Sequence, residues 1–388
     1  MIRTFLVLVS SSLLAAQVVR NSVVAAFAER SPDTAVRYWS HHPAVEASLG
    51  MTQIAAAARH RAAPPASAFK IFDVVAQREP LAPEPFLVRG VQAQLAGDYT
   101  SAQKAFLAAQ WRDPRSRQAA YFLSEQYIRA GDITRGLPQI ALLARLSPDG
   151  PRVVAPYLAA YGAQRTSWPA LRGLFATNPE LARPALNILA SDARTAPAVL
   201  ELADRRASLR DAPWLPTLLN TLTAAGDHAR ARSIWAKASG VKRFELIHDV
   251  EFSDERSPPP FNWALTSSAV GLAERRPGGR LHLLYYGQED GMLATQLLLL
   301  SPGPYRLTMQ LLGGSSRAKA LNWSIWCDRE SAPFSSITID QAVRGWRIDV
   351  PSSCEAQWLK LSGSSTELPQ QSDVTISNLR VERLTPGA

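Results

Sequence analysis

The sequence predicts a multidomain protein, α then β: an N-terminal hydrophobic anchor helix, an α-solenoid of helical repeats, and a β-sandwich of the jelly-roll kind. Three observations predict it. Small residues and turn residues recur at intervals of 34 through part of the first two-thirds of the chain. After Pro260 that rhythm gives way to short runs in which apolar and polar residues alternate. Ahead of both, Arg3 and Arg20 bracket an uncharged stretch from Thr4 to Val19.

The first element comprises residues 1–28, a signal-anchor or a signal peptide. The uncharged stretch suits a signal core, or a membrane-spanning helix if Val23 to Ala28 contributes. Ala26-Phe27-Ala28 offers a small-x-small cleavage site, but the residues after Arg20 continue with amphipathic helical spacing. The expectation is therefore an uncleaved helix over residues 4–28, tethering a periplasmic protein to the inner membrane. A cleaved, soluble exported protein is the alternative.

The second element, residues 29–250, carries the repeat. Gly97-Asp98 recurs as Gly131-Asp132, and Pro114 as Pro148, both after 34 residues. Gly90, Ala102 and Ala109 are small where paired helices would approach, and Phe106 would fill the gap between them. Gly97 permits a turn and Pro114 stops a helix because it has no N–H to donate. Leu123, Tyr127, Gly131 and Pro148 occupy the equivalent places one unit later. A further unit places Leu218, Gly226-Asp227, Ala231, Trp235 and Ala238, with Trp235 where Phe106 stood. Residues 85–148 strongly resemble tetratricopeptide repeats, and 212–240 do so more loosely. Between them, "WPALRGLFATNPELARPALNILASDARTAPAVLELADR" keeps helical spacing with prolines read as stops. Residues 29–84 read as further helices, with a loop at 59–68. The resemblance implies a protein or peptide partner in the solenoid groove.

Pro258-Pro259-Pro260 falls in a linker, 251–260, that leads into a third element, residues 261–388. Runs such as "RLHLLYYG", "PYRLTMQLLG", "LNWSIWCD", "GWRIDV" and "AQWLKLSG" are punctuated by Gly, Pro, Ser and Asp. About nine strands in this length suit a jelly roll. The opening "FNW", the "SPGPYRLTMQ" strand and the closing "SDVTISNLRVER" resemble the galactose-binding-like jelly rolls of carbohydrate-binding modules. The whole layout resembles exported repeat proteins associated with bacterial exopolysaccharide production. That resemblance implies an accessory of polysaccharide assembly or export.

Strand alternation sorts side chains onto two faces. Tyr305, Leu307, Met309 and Leu311 share one face, as do Leu321, Trp323, Ile325 and Cys327, and Trp346, Ile348 and Val350. The opposite face carries Arg306, Gln310, Asn322, Trp326, Asp328 and Trp358. Flat rings that stack on a pyranose, beside amides, a guanidinium and a carboxylate, are what sugar recognition needs. These six are the candidate glycan-binding residues. Packing of the two tryptophans against the solenoid is the competing reading.

Formal charge is +9, with 29 Lys+Arg against 19 Asp+Glu in residues 1–249 and 13 against 14 in 250–388. The basic residues are scattered rather than clustered, which argues for a solvated surface and against a nucleic-acid partner. Cys327 and Cys354 are the only cysteines. In an exported protein they are expected to form a disulfide, two buried thiols being the alternative. His41-His42 and the other histidines lack metal-ligand spacing, and "GQEDGM", with Glu289 and Asp290, lacks the ligand pattern of a calcium loop. No nucleophile elbow, Walker loop or dinucleotide fingerprint is present. The expectation is a non-enzymatic envelope scaffold without cofactor or metal. One alternative is an assembly factor whose sandwich only packs on the solenoid. The other is a glycan hydrolase or lyase using carboxylates such as Asp328 and Glu330.

Overall fold

A computed structural model describes residues 2–60, 65–204, 207–313, 320–365 and 371–385. Part of the expected loop at 59–68, residues 61–64, lies outside the described residues. The chain divides into two compact units, Met1–Ala155 with Pro169–Leu181, and Pro156–Trp168 with Ala182–Ala388.

Helices fill the region up to Ser239. The long α1 (Ile2–Phe27) is followed by α2 (Pro32–Trp39), α3 (Pro43–Arg59) and α4 (Ala66–Arg78). Val24 and Ala28 at the end of α1 are buried with Ala35 of α2 and Val45 of α3. The repeat proper is α5 (Glu84–Leu95) with α6 (Tyr99–Arg112), then α7 (Arg117–Arg129) with α8 (Ile133–Leu146).

The repeated Gly-Asp pair has a double role. Gly97 and Gly131 take φ of +79° and +70°, the left-handed backbone that ends one helix. Asp98 and Asp132 then cap the next, accepting from Ser101 N at 2.9 Å and Arg135 N at 3.0 Å. Hydrogen bonds from the capped turn hold both carboxyls below the usual carboxylate range. Gly90 lies against the ring of Phe106, where any Cβ would collide. Ala102, Phe106 and Ala109 are fully buried, and Phe106 stacks on Phe122 with centroids 4.6 Å apart. Burying a ring of this size is worth about 2–3 kcal/mol. Tyr127 is buried in the same cluster.

Then come α9 (Gly150–Gly162), α10 (Trp168–Thr177), α11 (Pro179–Ala190) and α12 (Ala196–Leu202). Here the prolines behave differently from the sequence reading. Pro169, Pro179 and Pro197 sit in the first turns of α10, α11 and α12, so they begin helices rather than stop them. The first turn lacks intrahelical acceptors for its N–H groups, and a proline there forfeits nothing. The helical region closes with α13 (Leu215–Ala225) and α14 (His228–Ser239).

Strands follow: β1 (Ala264–Leu265), β2 (Gly271–Arg276), β3 (Arg280–Tyr285), β4 (Gly291–Leu298), β5 (Gly303–Leu312), β6 (Leu321–Cys327) and β7 (Ser335–Thr338). A short α15 (Ile339–Ala342) precedes β8 (Trp346–Val350), β9 (Gln357–Gly363) and β10 (Ser372–Arg383). They form two five-stranded antiparallel sheets. The first has order β1-β4-β9-β6-β7 and the second β2-β3-β10-β5-β8. Successive strands from β3 to β8 pass between the sheets two or fewer at a time, and β9 and β10 return to the centre of each. That is a jelly roll, with β1 and β2 added at its edges. The inward residues Trp323, Leu321, Ile325, Leu359 and Leu361 of the first sheet meet Tyr305, Leu307, Ile348 and Val374 of the second in one core.

Residues 251–260 are not a free linker. Ile247 and Phe252 are buried in the sandwich core beside Trp263, and Asn262 ties back to Asp254 O and Ser257 O. The inward amide of Gln296 donates to His248 O at 2.9 Å, so the segment is stitched to β4. Its apolar side chains and its backbone acceptors both find partners on the sandwich. Trp235 also departs from the role of Phe106. Its indole packs edge-on to His248, tilts against Phe261 and donates to Pro258 O at 2.8 Å.

Candidate functional site

The six residues expected on one face do not share a surface. Asn322, Trp326 and Asp328 belong to β6 or its end, and Trp358 to β9, in the first sheet. Arg306 and Gln310 lie on β5, in the second sheet, exposed on the opposite side of the sandwich. Period-two alternation told inward from outward, but each sheet has its own outward face. On the second sheet, Gln310 Oε1 accepts from Asn378 Nδ2 at 2.7 Å. Asn378 sits in a β10 irregularity between Ser377 and Arg380, at φ 52°. On the first sheet, Asn322 lies toward the far end of β6 and donates to Ser364 Oγ at 3.1 Å.

The remaining three come together. Trp326 and Trp358 are direct cross-strand partners. Trp358 Nε1 donates to Asp328 Oδ1 at 3.0 Å, and Asp328 Oδ2 is bonded to His228 Nε2 at 2.9 Å. His228 is the first residue of α14, so Asp328 joins the last helical hairpin to the sheet. Its neighbour Arg329 donates to Ala224 O at the end of α13, at 3.0 Å, and its guanidinium lies over Gly226. Both oxygens of Asp328 are therefore engaged, and its backbone N–H donates to Ala356 O at 2.9 Å.

The ring of Trp326 also has a cation beside it. Lys360 Nζ lies 4.2 Å from the centroid of Trp326, whose Nε1 donates to Ser324 Oγ at 2.8 Å. Burial lowers the Lys360 pKa below its ordinary value. The sulfurs of Cys327 and Cys354 lie at disulfide-bonding distance with Cα atoms 5.4 Å apart, and this pins the strand end that carries Asp328. Gln357 reinforces the same loop from inside, donating to Cys354 O at 2.7 Å and accepting from Leu300 N at 2.8 Å.

Elsewhere, Asp290 Oδ1 accepts from Ser365 N and Oγ, and the lowered pKa of its carboxyl has that cause. Among the described residues no three His, Cys, Asp or Glu side chains are grouped to hold a metal. His42 Nδ1 accepts from Ala44 N at 3.2 Å, and the exposed His41 lies 3.5 Å from Glu46.

Sequence reasoning missed His228, Arg329 and Lys360. His228 follows Gly-Asp, where the earlier units carry Tyr99 and Ile133, and that substitution was the only local signal. The acceptor it meets is a hundred residues away.

The fold and site define a protein with a helical repeat region followed by antiparallel sheets, preceded by an N-terminal apolar helix of a kind consistent with an anchor or a signal. Val7–Phe27 is long and apolar enough to cross a membrane, and the cysteine pair is consistent with export. No family model and no curated protein matches the chain. Among solved structures, the accessory secretory protein 1,2 and 3 in Streptococcus pneumoniae aligns over 37% of this chain and 99% of its own, with 12% identity and a TM-score of 0.26. A MamA RS-1 ArsTM double mutant aligns over 51% and 95%, with 17% identity and a TM-score of 0.24. Likenesses of that size carry no functional argument.

Proposed function

We propose that this is a non-enzymatic scaffold of the cell envelope, tethered to the inner membrane by α1, that binds a protein partner through its helical repeats. Polysaccharide assembly or export is the system in which it works. One observation carries the reading: Asp328 uses both carboxylate oxygens to join α14 to the sheet, through His228 and Trp358. A carboxylate held in this way is poorly placed for glycoside cleavage, which needs one acid free to protonate and another free to attack or activate water. The same contacts favour a sandwich docked on the last helical hairpin, α13–α14. A glycan contact is better sought on the second sheet, where Arg306, Gln310 and Asn378 are exposed.

The test is affinity capture of the full chain with polysaccharide-assembly proteins, alongside a glycan array. Capture with loss on repeat-surface substitutions supports the reading, and silence in both assays removes its basis. Trp326→Ala and Trp358→Ala separate the two roles of the sandwich. A lower melting temperature with unchanged glycan signal supports docking, whereas lost glycan affinity at an unchanged melting temperature supports sugar binding. Turnover of the producer's own polysaccharide that disappears in Asp328→Asn would establish the enzymatic alternative instead.

A further inference from the structure

Burial changes abruptly along α1. Val7, Leu13 and Val19 are 63%, 67% and 56% exposed, whereas Val24 and Ala28 are 4% and 5% exposed, enclosed by α2 and α3. One continuous helix thus has an apolar length exposed from Val7 to Val19 and a last turn that the helical core holds on one side, Val24 being buried while Ala25, Ala26 and Phe27 stay exposed. Arg20 stands between the two regimes. Its guanidinium lies over the ring of Trp39, at the end of α2, 4.4 Å from the centroid.

Length fixes what the bare part fits. At about 1.5 Å per residue, the uncharged run Thr4–Val19 covers about 24 Å, so α1 reaches Arg20 near the edge of the ~30 Å hydrocarbon core of a bilayer. The apolar length is thus used up where Arg20 begins, and the protein core starts within one further turn. No flexible spacer separates the two, because α1 runs unbroken to Phe27 and α2 starts at Pro32. Tyr38, next to Trp39 in the sequence, is 52% exposed. Tryptophan, tyrosine and arginine are the side chains that settle at a membrane–water interface, an apolar body below and a polar tip above.

We infer that Arg20, Tyr38 and Trp39 form a membrane-interface seat: the first helical hairpin rests directly on the bilayer surface, and the Arg20–Trp39 pair sets how deep α1 inserts. The occupant of this surface is lipid, at the headgroup level. The inference rests on the tethered reading proposed above and adds a contact that tethering alone does not require.

The experiment uses the full chain in vesicles of phosphatidylethanolamine and phosphatidylglycerol. A spin label is placed at Tyr38→Cys and, for reference, at Tyr121→Cys, exposed on α7. The native cysteines are paired with each other. The expected result is a several-fold higher ratio of oxygen to nickel-chelate accessibility at position 38 than at 121, which falls in Arg20→Ala while the protein stays resistant to carbonate extraction. A label at 38 as open to the nickel chelate as that at 121 overturns the seat and leaves the anchor standing. A label shielded from both reagents also overturns it, in favour of a protein contact. A mature chain beginning after Ala28 in producing cells overturns the anchor itself, and the seat with it.

Discussion

His228 Nε2 lies 2.9 Å from Asp328 Oδ2, a contact between the first turn of α14 and the end of β6 across one hundred residues of sequence. With Trp358 donating to the other oxygen, the carboxylate has a partner on each side of the helix–sheet junction. Asp328→Asn keeps the shape but removes the charge that both donors face. The expected cost is about 1.5–3 kcal/mol, the range for hydrogen bonds to charged groups. Hydrogen exchange in α13 and α14 should accelerate more than in the sandwich core. Unchanged exchange in those helices would show that the carboxylate does not hold the junction.

The approach of Gly90 to Phe106 gives a prediction of opposite sign to helix propensity. Alanine normally favours a helix over glycine by about 1 kcal/mol, yet at position 90 it meets the ring. Gly90→Ala should destabilise by about 1–3 kcal/mol through overpacking. Gly173 of α10 has open space around its missing Cβ, so Gly173→Ala should stabilise by about 0.5–1 kcal/mol. Urea midpoints of the two variants against the parent check both signs.

Acid sensitivity should have an identifiable contributor in the 241–262 segment. Burial alone would raise the Asp254 pKa, but hydrogen bonds from His248 and from the Ser257 and Arg256 backbone N–H groups hold it well below the ordinary range. A carboxyl depressed in the folded state stabilises fully above its unfolded value of about 4 and loses that contribution as pH falls through the folded value. Asp254→Asn should therefore flatten the fall in urea midpoint below about pH 4 while lowering the midpoint at neutral pH. An acid limb as steep as the parent's would assign it to other carboxyls.

The cysteine pair closes a loop with a sequence separation of 27. Removing such a crosslink typically costs about 3 kcal/mol through the unfolded chain. The double variant Cys327→Ala, Cys354→Ala should lose roughly that much, and the loss should match the effect of reductant on the parent. Alkylation of the native protein with and without reduction measures the pairing directly.

Local periodicity by itself determined most of the elements and their inner faces. Gly90, Ala102, Phe106 and Ala109 could be placed in a hairpin core because residues one helical turn apart share a face whatever lies beyond. Leu321, Trp323 and Ile325, or Trp346, Ile348 and Val350, could be turned inward because successive strand residues point to opposite sides. Only the tertiary structure decided which strands share a sheet, since neighbours in a jelly roll are seldom neighbours in sequence. That is why Arg306 and Gln310 parted from Trp326, Asp328 and Trp358. It also decided that residues 251–260 pack and that α14 docks through His228, because a hydrogen bond between distant segments leaves no periodic trace in either one.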